Sequence, residues 1–138
     1  MFGSKKRPTI RSLVGEGTLI EGTLRFTDGL RIDGEVHGDV ISARDDGSML
    51  VISEKAKVVG TVKAGHVIIN GTVIGPVESN HLLELQPKAR IQGDVRYEAL
   101  EMHQGASIDG ALHRMNAVPL VLTDERPGLK LLASGESK

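Results

Sequence analysis

Five histidines, His37, His66, His81, His103 and His113, are the side chains of this sequence best suited to hold a metal or to move a proton near neutral pH. A metal ladder or a repeated general base would need them at one depth of a recurring unit. They fall at unequal depths, so solvated surface positions are expected. Asp45-Asp46-Gly47 has the composition of a cation loop, but no oxygen-rich series surrounds it, and a plain turn is expected. Asn70-Gly71-Thr72 has the form of a glycosylation acceptor, yet the first residues lack the apolar stretch of a secretory signal. Neither Gly-x-x-x-x-Gly-Lys nor the dinucleotide glycine pattern occurs, so a nucleotide-driven motor or switch has no visible site. With no cysteine there is no thiolate nucleophile, thiolate metal site or disulfide staple. No catalytic, cofactor-binding or metal-binding residue is assigned, and the reading is of a protein that is not an enzyme.

The elements that carry these residues follow from a repeat: an aliphatic, a spacer, a glycine, a spacer and a second aliphatic. It occurs as Ile20-Glu-Gly22-Thr-Leu24, Val36-His-Gly38-Asp-Val40, Val58-Val-Gly60-Thr-Val62, Val73-Ile-Gly75-Pro-Val77, Ile91-Gln-Gly93-Asp-Val95 and Ile108-Asp-Gly110-Ala-Leu112. A second column, Leu13, Leu30, Leu50, Val67, Leu83 and Leu100, runs ahead of the first, and both predict six turns. Within a turn aliphatic and polar residues alternate, the period of a strand with one buried face. A glycine recurring in such a pattern bends the chain at the same place each time, which makes a coil. Only the second turn is long, and its excess, Ser42 to Ser48, reads as a loop extruded from a corner. Six stacked coils with parallel strands would stand roughly 29 Å tall. The aliphatic spacing of the fourth coil (67, 69, 73, 77) departs from the strict hexad of the left-handed acyltransferase helices, and a β-sandwich would need irregular hairpins.

Composition agrees with a narrow core. Tyr97, Phe2 and Phe26 are the only aromatics, too few for a wide globular core or a stacking platform for nucleic acid. A net charge of −1 sets up no global attraction to nucleic acid and little repulsion between copies.

A basic tail beginning Met1-Phe2, glycine-marked coils over 13–116 and a polar, proline-containing end together resemble the bactofilins. Leu30-Arg-Ile-Asp-Gly-Glu-Val-His-Gly-Asp-Val40 and Lys88-Ala-Arg-Ile-Gln-Gly-Asp-Val95 carry the resemblance most specifically. It implies an all-β, right-handed parallel β-helix of about six short coils with flexible tails. It also implies a bacterial cytoskeletal protein that polymerises without nucleotide, often on the inner face of the cytoplasmic membrane, and helps to place cell-wall or morphogenesis proteins. The expected organisation is a basic membrane-targeting tail over 1–12, a polymerisation domain over 13–116 and a flexible tail over 117–138.

A β-helix is closed sideways and open at its ends, so the terminal coils are the expected polymerisation interfaces. The residues singled out are Leu13, Leu19, Ile20 and Leu24 at one end and Leu100, Met102, Ile108 and Leu112 at the other. Like ends would give a nonpolar filament, which the resemblance favours, and head-to-tail stacking a polar one. Met1, Phe2, Lys5, Lys6 and Arg7 are the expected membrane contacts, and Ala117 to Leu122 is an apolar run suited to fold back over the last coil or to dock a partner. The competing readings are a trimeric acyltransferase and a monomeric adaptor.

Overall fold

The computed structural model describes residues 10–44 and 47–115. Among them there is no helix; the chain winds as a parallel β-solenoid of six coils, each with three strand segments. The first coil holds β1 (Ser12–Val14), β2 (Leu19–Glu21) and β3 (Leu24–Phe26). The second holds β4 (Gly29–Ile32), β5 (Glu35–His37) and β6 (Val40–Ser42). The third begins with β7 (Met49–Ile52) and β8 (Lys57–Val59), and β9 (Val62–Ile69) then runs from its third side into the first side of the fourth coil. After β10 (Thr72–Ile74), β11 (Val77–Leu85) makes the same passage, as does β13 (Val95–Met102) after β12 (Arg90–Gln92). The sixth coil is completed by β14 (Ser107–Asp109) and β15 (Leu112–Arg114).

Every ladder is parallel, and the register lays like residues over like. The first side stacks Leu30, Leu50, Val67, Leu83 and Leu100, and beside them Val14, Ile32, Ile52, Ile69, Leu85 and Met102. The second stacks Ile20, Val36, Val58, Val73, Ile91 and Ile108; the third stacks Leu24, Val40, Val62, Val77, Val95 and Leu112. From the second coil to the fifth these side chains are fully or nearly fully buried, each contributing about 1.5–3 kcal/mol. Aliphatic residues suit this narrow three-sided core, and the ring that enters it, Phe26, does so in the first coil at its end.

Where the first column reaches coil one, it departs from the sequence reading. Ser12, not Leu13, lies under Leu30, so Leu13 pairs with Arg31 and points outward. A slip of one residue moves a side chain to the opposite face of a strand, and Leu13 is 61% exposed as a result.

The glycine of the repeat forms the corner between second and third sides. Gly38, Gly60, Gly75, Gly93 and Gly110 each sit so close over the corner below that a Cβ would strike the preceding glycine's carbonyl. Gly38, Gly60, Gly75 and Gly93 also have φ between 146° and 153°, which other residues rarely adopt. The aspartates that follow two of these glycines secure the stack. Asp39 Oδ1 accepts the Thr61 N–H at 2.9 Å and Asp94 Oδ1 the Ala111 N–H at 3.0 Å, each from the coil above.

The corner between first and second sides has two lengths, alternating over the first five coils. It projects in the first and third coils (Gly15 to Thr18, Ser53 to Ala56), is recessed in the second and fourth (Asp33-Gly34, Asn70-Gly71), and projects again in the fifth and sixth (Gln86 to Ala89, His103 to Ala106). Projecting corners reach across the recessed ones: Lys55 pairs with Glu16 at 3.5 Å, and Lys88 with Glu54 at 2.9 Å. The recessed side chains anchor the corner above. Ser53 Oγ donates to the Asp33 carboxylate, and Asn70 Oδ1 accepts the Lys88 N–H at 2.9 Å. That bond with Ser53, helped by Arg31, holds the Asp33 carboxyl below its usual range. The third-to-first bend carries a buried polar seam in which Gly65 N–H donates to Ser48 Oγ at 2.9 Å and Ser79 Oγ donates to Gly65 C=O at 2.8 Å. The extruded run of the long second turn falls between β6 and β7, as expected, with Asp45 and Asp46 outside the described residues.

Candidate polymerisation surfaces

The ends of the solenoid differ from its sides in one respect: their backbone is paired on one side only. Among the described residues β1, β2 and β3 pair only with the second coil, and β14, β15 and the 99–102 part of β13 pair only with the fifth. Each end therefore shows a ring of donors and acceptors and the last members of the apolar columns.

At the C-terminal end all four expected residues, Leu100, Met102, Ile108 and Leu112, are terminal members of inward columns. Leu100 and Ile108 are half-buried, whereas Met102 and Leu112 are 45% and 43% exposed. Arg114 ends the column of Ala64, Ser79 and Tyr97 and turns its Nε to the Glu98 carbonyl at 3.3 Å. At the N-terminal end only two of the four expected residues are so placed: Ile20 and Leu24 are half-buried column ends. Leu13 and Leu19 point sideways, Leu19 over Glu35 and 52% exposed, and belong to the flanks. Val14 and Phe26 are instead the end-coil residues missed by the two-column pattern, and both are buried. Phe26 was legible only through the pairing of Leu24 with its second neighbour along the strand.

Two side features lie outside this end-on chemistry. Register stacks Glu84 directly beneath Glu101, and His103 Nε2 lies 3.5 Å from Glu84 and 4.0 Å from Glu101. The ligand atoms of the three lie within 4.8 Å of one another, a proximity that sequence spacing concealed because adjacent coils bring it about. A protonated His103 would offset the repulsion between stacked carboxylates. A groove of about 420 Å³ runs under the projecting corners, floored by Val51 and Ile68. Its polar groups are engaged with one another, Arg31 and Ser53 on Asp33 and Lys55 on Glu16, so they form a structural seam and not a set aimed at a substrate. His37 pairs with Glu35 at 2.6 Å on the second side.

Met1, Phe2, Lys5, Lys6 and Arg7, and the apolar run 117–122, lie outside the described residues. No helix among the described residues is long and apolar enough to cross a membrane.

A protein-family model, bactofilin, described as polymer-forming cytoskeletal, matches residues 12–113. Bactofilin BacP of Myxococcus xanthus (strain DK1622) is 28% identical over 118 residues, covering 86% of this chain and 48% of that protein. The chain thus spans about half the length of the curated relative it matches. No solved structure matches the chain.

Proposed function

The chain belongs to the bactofilin family of polymer-forming cytoskeletal proteins, and from that premise we propose that it is a bacterial scaffold whose solenoids join end to end without nucleotide. The observation that carries the reading is the C-terminal coil, where the inward columns stop at Met102 and Leu112, both left nearly half exposed beside one-sided strands. A second molecule laid on that coil covers these side chains and satisfies the edge groups together. Full cover of the two would contribute about 1 kcal/mol each, to which the hydrogen bonds of the new ladder add. Nothing in such a joint needs a phosphate bond to be broken, because the surface is already formed in the free subunit.

In this reading the filament lies in the cytoplasm against the inner face of the membrane. Lys5, Lys6 and Arg7 each contribute about 1 kcal/mol at an anionic surface and Phe2 roughly 2 more by inserting its ring. One tail holds weakly; a polymer presenting many holds firmly, so assembly and attachment reinforce each other. A fixed, repeating polymer on the membrane is suited to place cell-wall or morphogenesis proteins along it.

The test is negative-stain electron microscopy of the purified protein without nucleotide, beside Leu112→Arg, with circular dichroism to verify that both are folded. Filaments in the first and small particles in the second support the reading. Uniform small particles in the unaltered protein overturn it. Flotation with anionic vesicles, comparing the full chain with one lacking residues 1–7, tests the attachment separately.

A further inference from the structure

Parallel stacking lays each outward side chain over its counterpart in the coil below, about 4.8 Å away. Along the described ladders a carboxylate so placed faces a base or an uncharged residue: Glu35 lies under Lys57, Glu78 between Lys63 and Arg96, and Glu21 under His37. One place breaks this rule. On the first side of the last two coils Glu84 lies beneath Glu101, and among the described residues no lysine or arginine pairs with either. Like charges in this position repel across the ladder, and a cation held between them removes the cost. The third group at the spot is a nitrogen donor. His103 follows Met102 where the last coil turns into its projecting corner, and its backbone N–H is held by the Leu85 carbonyl at 2.9 Å. Its Nε2 lies 3.5 Å from Glu84 Oε2 and 4.0 Å from Glu101 Oε2, and one ligand atom from each of the three falls within 4.8 Å of the others. Zinc bonds of about 2.0–2.2 Å to nitrogen and oxygen put tetrahedral ligands roughly 3.3–3.5 Å apart. The imidazole and Glu84 already stand at that separation, and Glu101, its side chain 57% exposed, is free to swing in. Gln86 holds the place of His103 in the coil below, and its Nε2 donates to Glu84 Oε2 at 3.2 Å, which steadies that carboxylate.

We propose that Glu84, Glu101 and His103 form a binding site for a divalent transition ion of the zinc class, with water completing its coordination. The two carboxylates neutralise the ion. The imidazole nitrogen selects it over magnesium, which prefers oxygen ligands and keeps its own waters. Two of the ligands belong to coil six and one to coil five, so the bound ion ties the last coil to the body of the solenoid. That coil has most to gain, because its strands are paired on one side only among the described residues. The site lies on the flank and draws all three groups from one chain, so its occupation does not depend on how subunits join.

The test uses the full chain in chelator-treated buffer, with zinc as the probe. Equilibrium dialysis should find zinc taken up by the folded protein. With zinc at about ten times its dissociation constant, the amides of 99–102 and 107–109 should exchange hydrogen about tenfold more slowly, and those of 30–32 should not change. His103→Ala should weaken uptake by more than about tenfold. Glu101→Gln should weaken it likewise, yet with chelator present it should melt above the unaltered protein, because the stacked charge is gone. A glutamate with a merely structural role would not give those two opposite effects. His37→Ala, which removes a histidine paired with Glu35 on the second side, should leave uptake unchanged. Zinc held as tightly by His103→Ala as by the unaltered protein overturns the site. So does displacement of the zinc by equimolar magnesium, which would assign the uptake to carboxylates alone. Absence of any zinc uptake by the folded chain overturns it as well.

Discussion

The two ends of the solenoid are built from the same columns yet finish differently. At the N-terminal coil the terminal residues are largely sheltered, with Val14 6% and Phe26 9% exposed, and the bare aliphatics Leu13 and Leu19 stand on the flanks. At the C-terminal coil the flanks are polar, with Glu101, Ser107, Asp109 and His113 outward, and the bare aliphatics Met102 and Leu112 stand at the column tips. Exposed apolar surface thus has a direction at each end. At the C-terminus it faces along the solenoid, where another coil would cover it; at the N-terminus much of it faces sideways. An alternating strand makes this difference with a shift of one residue.

Substitutions can remove the comparison altogether or refine it. The largest effect is expected from Gly60→Ala in the middle of the glycine stack, where the new methyl would strike the Gly38 carbonyl and the φ of 151° is unfavourable. Neither atom can swing away, and a loss on the order of 3–5 kcal/mol is expected, read as a collapse of the thermal transition by circular dichroism. Both ends should disappear together. Next comes Leu112→Arg against Leu24→Arg, in which a charge is set on a column tip at one end or the other. Each should abolish long filaments, read as a loss of sedimentable protein; Leu24→Arg should also cost more stability, because Leu24 is the better covered of the two. Leu13→Ser and Leu19→Ser should change melting by no more than about 0.5 kcal/mol and leave filament length unaltered, since both side chains point off the joint. A loss of filaments in either would mean that the flanks take part.

The smallest effect contrasts the recessed corners of the two halves. Asp33 is held below the usual carboxylate range by Ser53 and Arg31, so its contribution is present at neutral pH and is lost as pH falls through the lowered folded value. Asn70 fills the matching place in the other half and does not titrate there. Asp33→Asn should therefore remove a small acid-side decline in melting temperature; an unchanged decline would assign it to other carboxylates.

Much of this was legible because a solenoid repeats its register. The runs from Leu13 to Leu100 and from Gly22 to Gly110 predict six coils, and the stacked structure agrees in number, with Leu13 the one member that falls outside its column. The first coil misled because Ser12-Leu13-Val14 offers aliphatics of both parities, and an unburied strand edge leaves no pattern to choose between them. The irregular spacing of the fourth coil had a visible cause that counting alone did not identify: Asn70-Gly71 shortens its corner. Proximity between coils, as in Glu84, Glu101 and His103, is set by side-chain reach across the ladder and is not encoded in local spacing.

The corner pairs that skip a coil, Glu16 with Lys55 and Glu54 with Lys88, have a mechanical consequence. Each is weak alone, at about 0–1 kcal/mol on an exposed surface. Yet both lie on one edge of the stack, where they act as stays against stretching of that edge. A rod so braced is stiffer when bent away from its stays than toward them. A polymer of such rods would carry a preferred direction of curvature, set by which edge of each subunit faces outward.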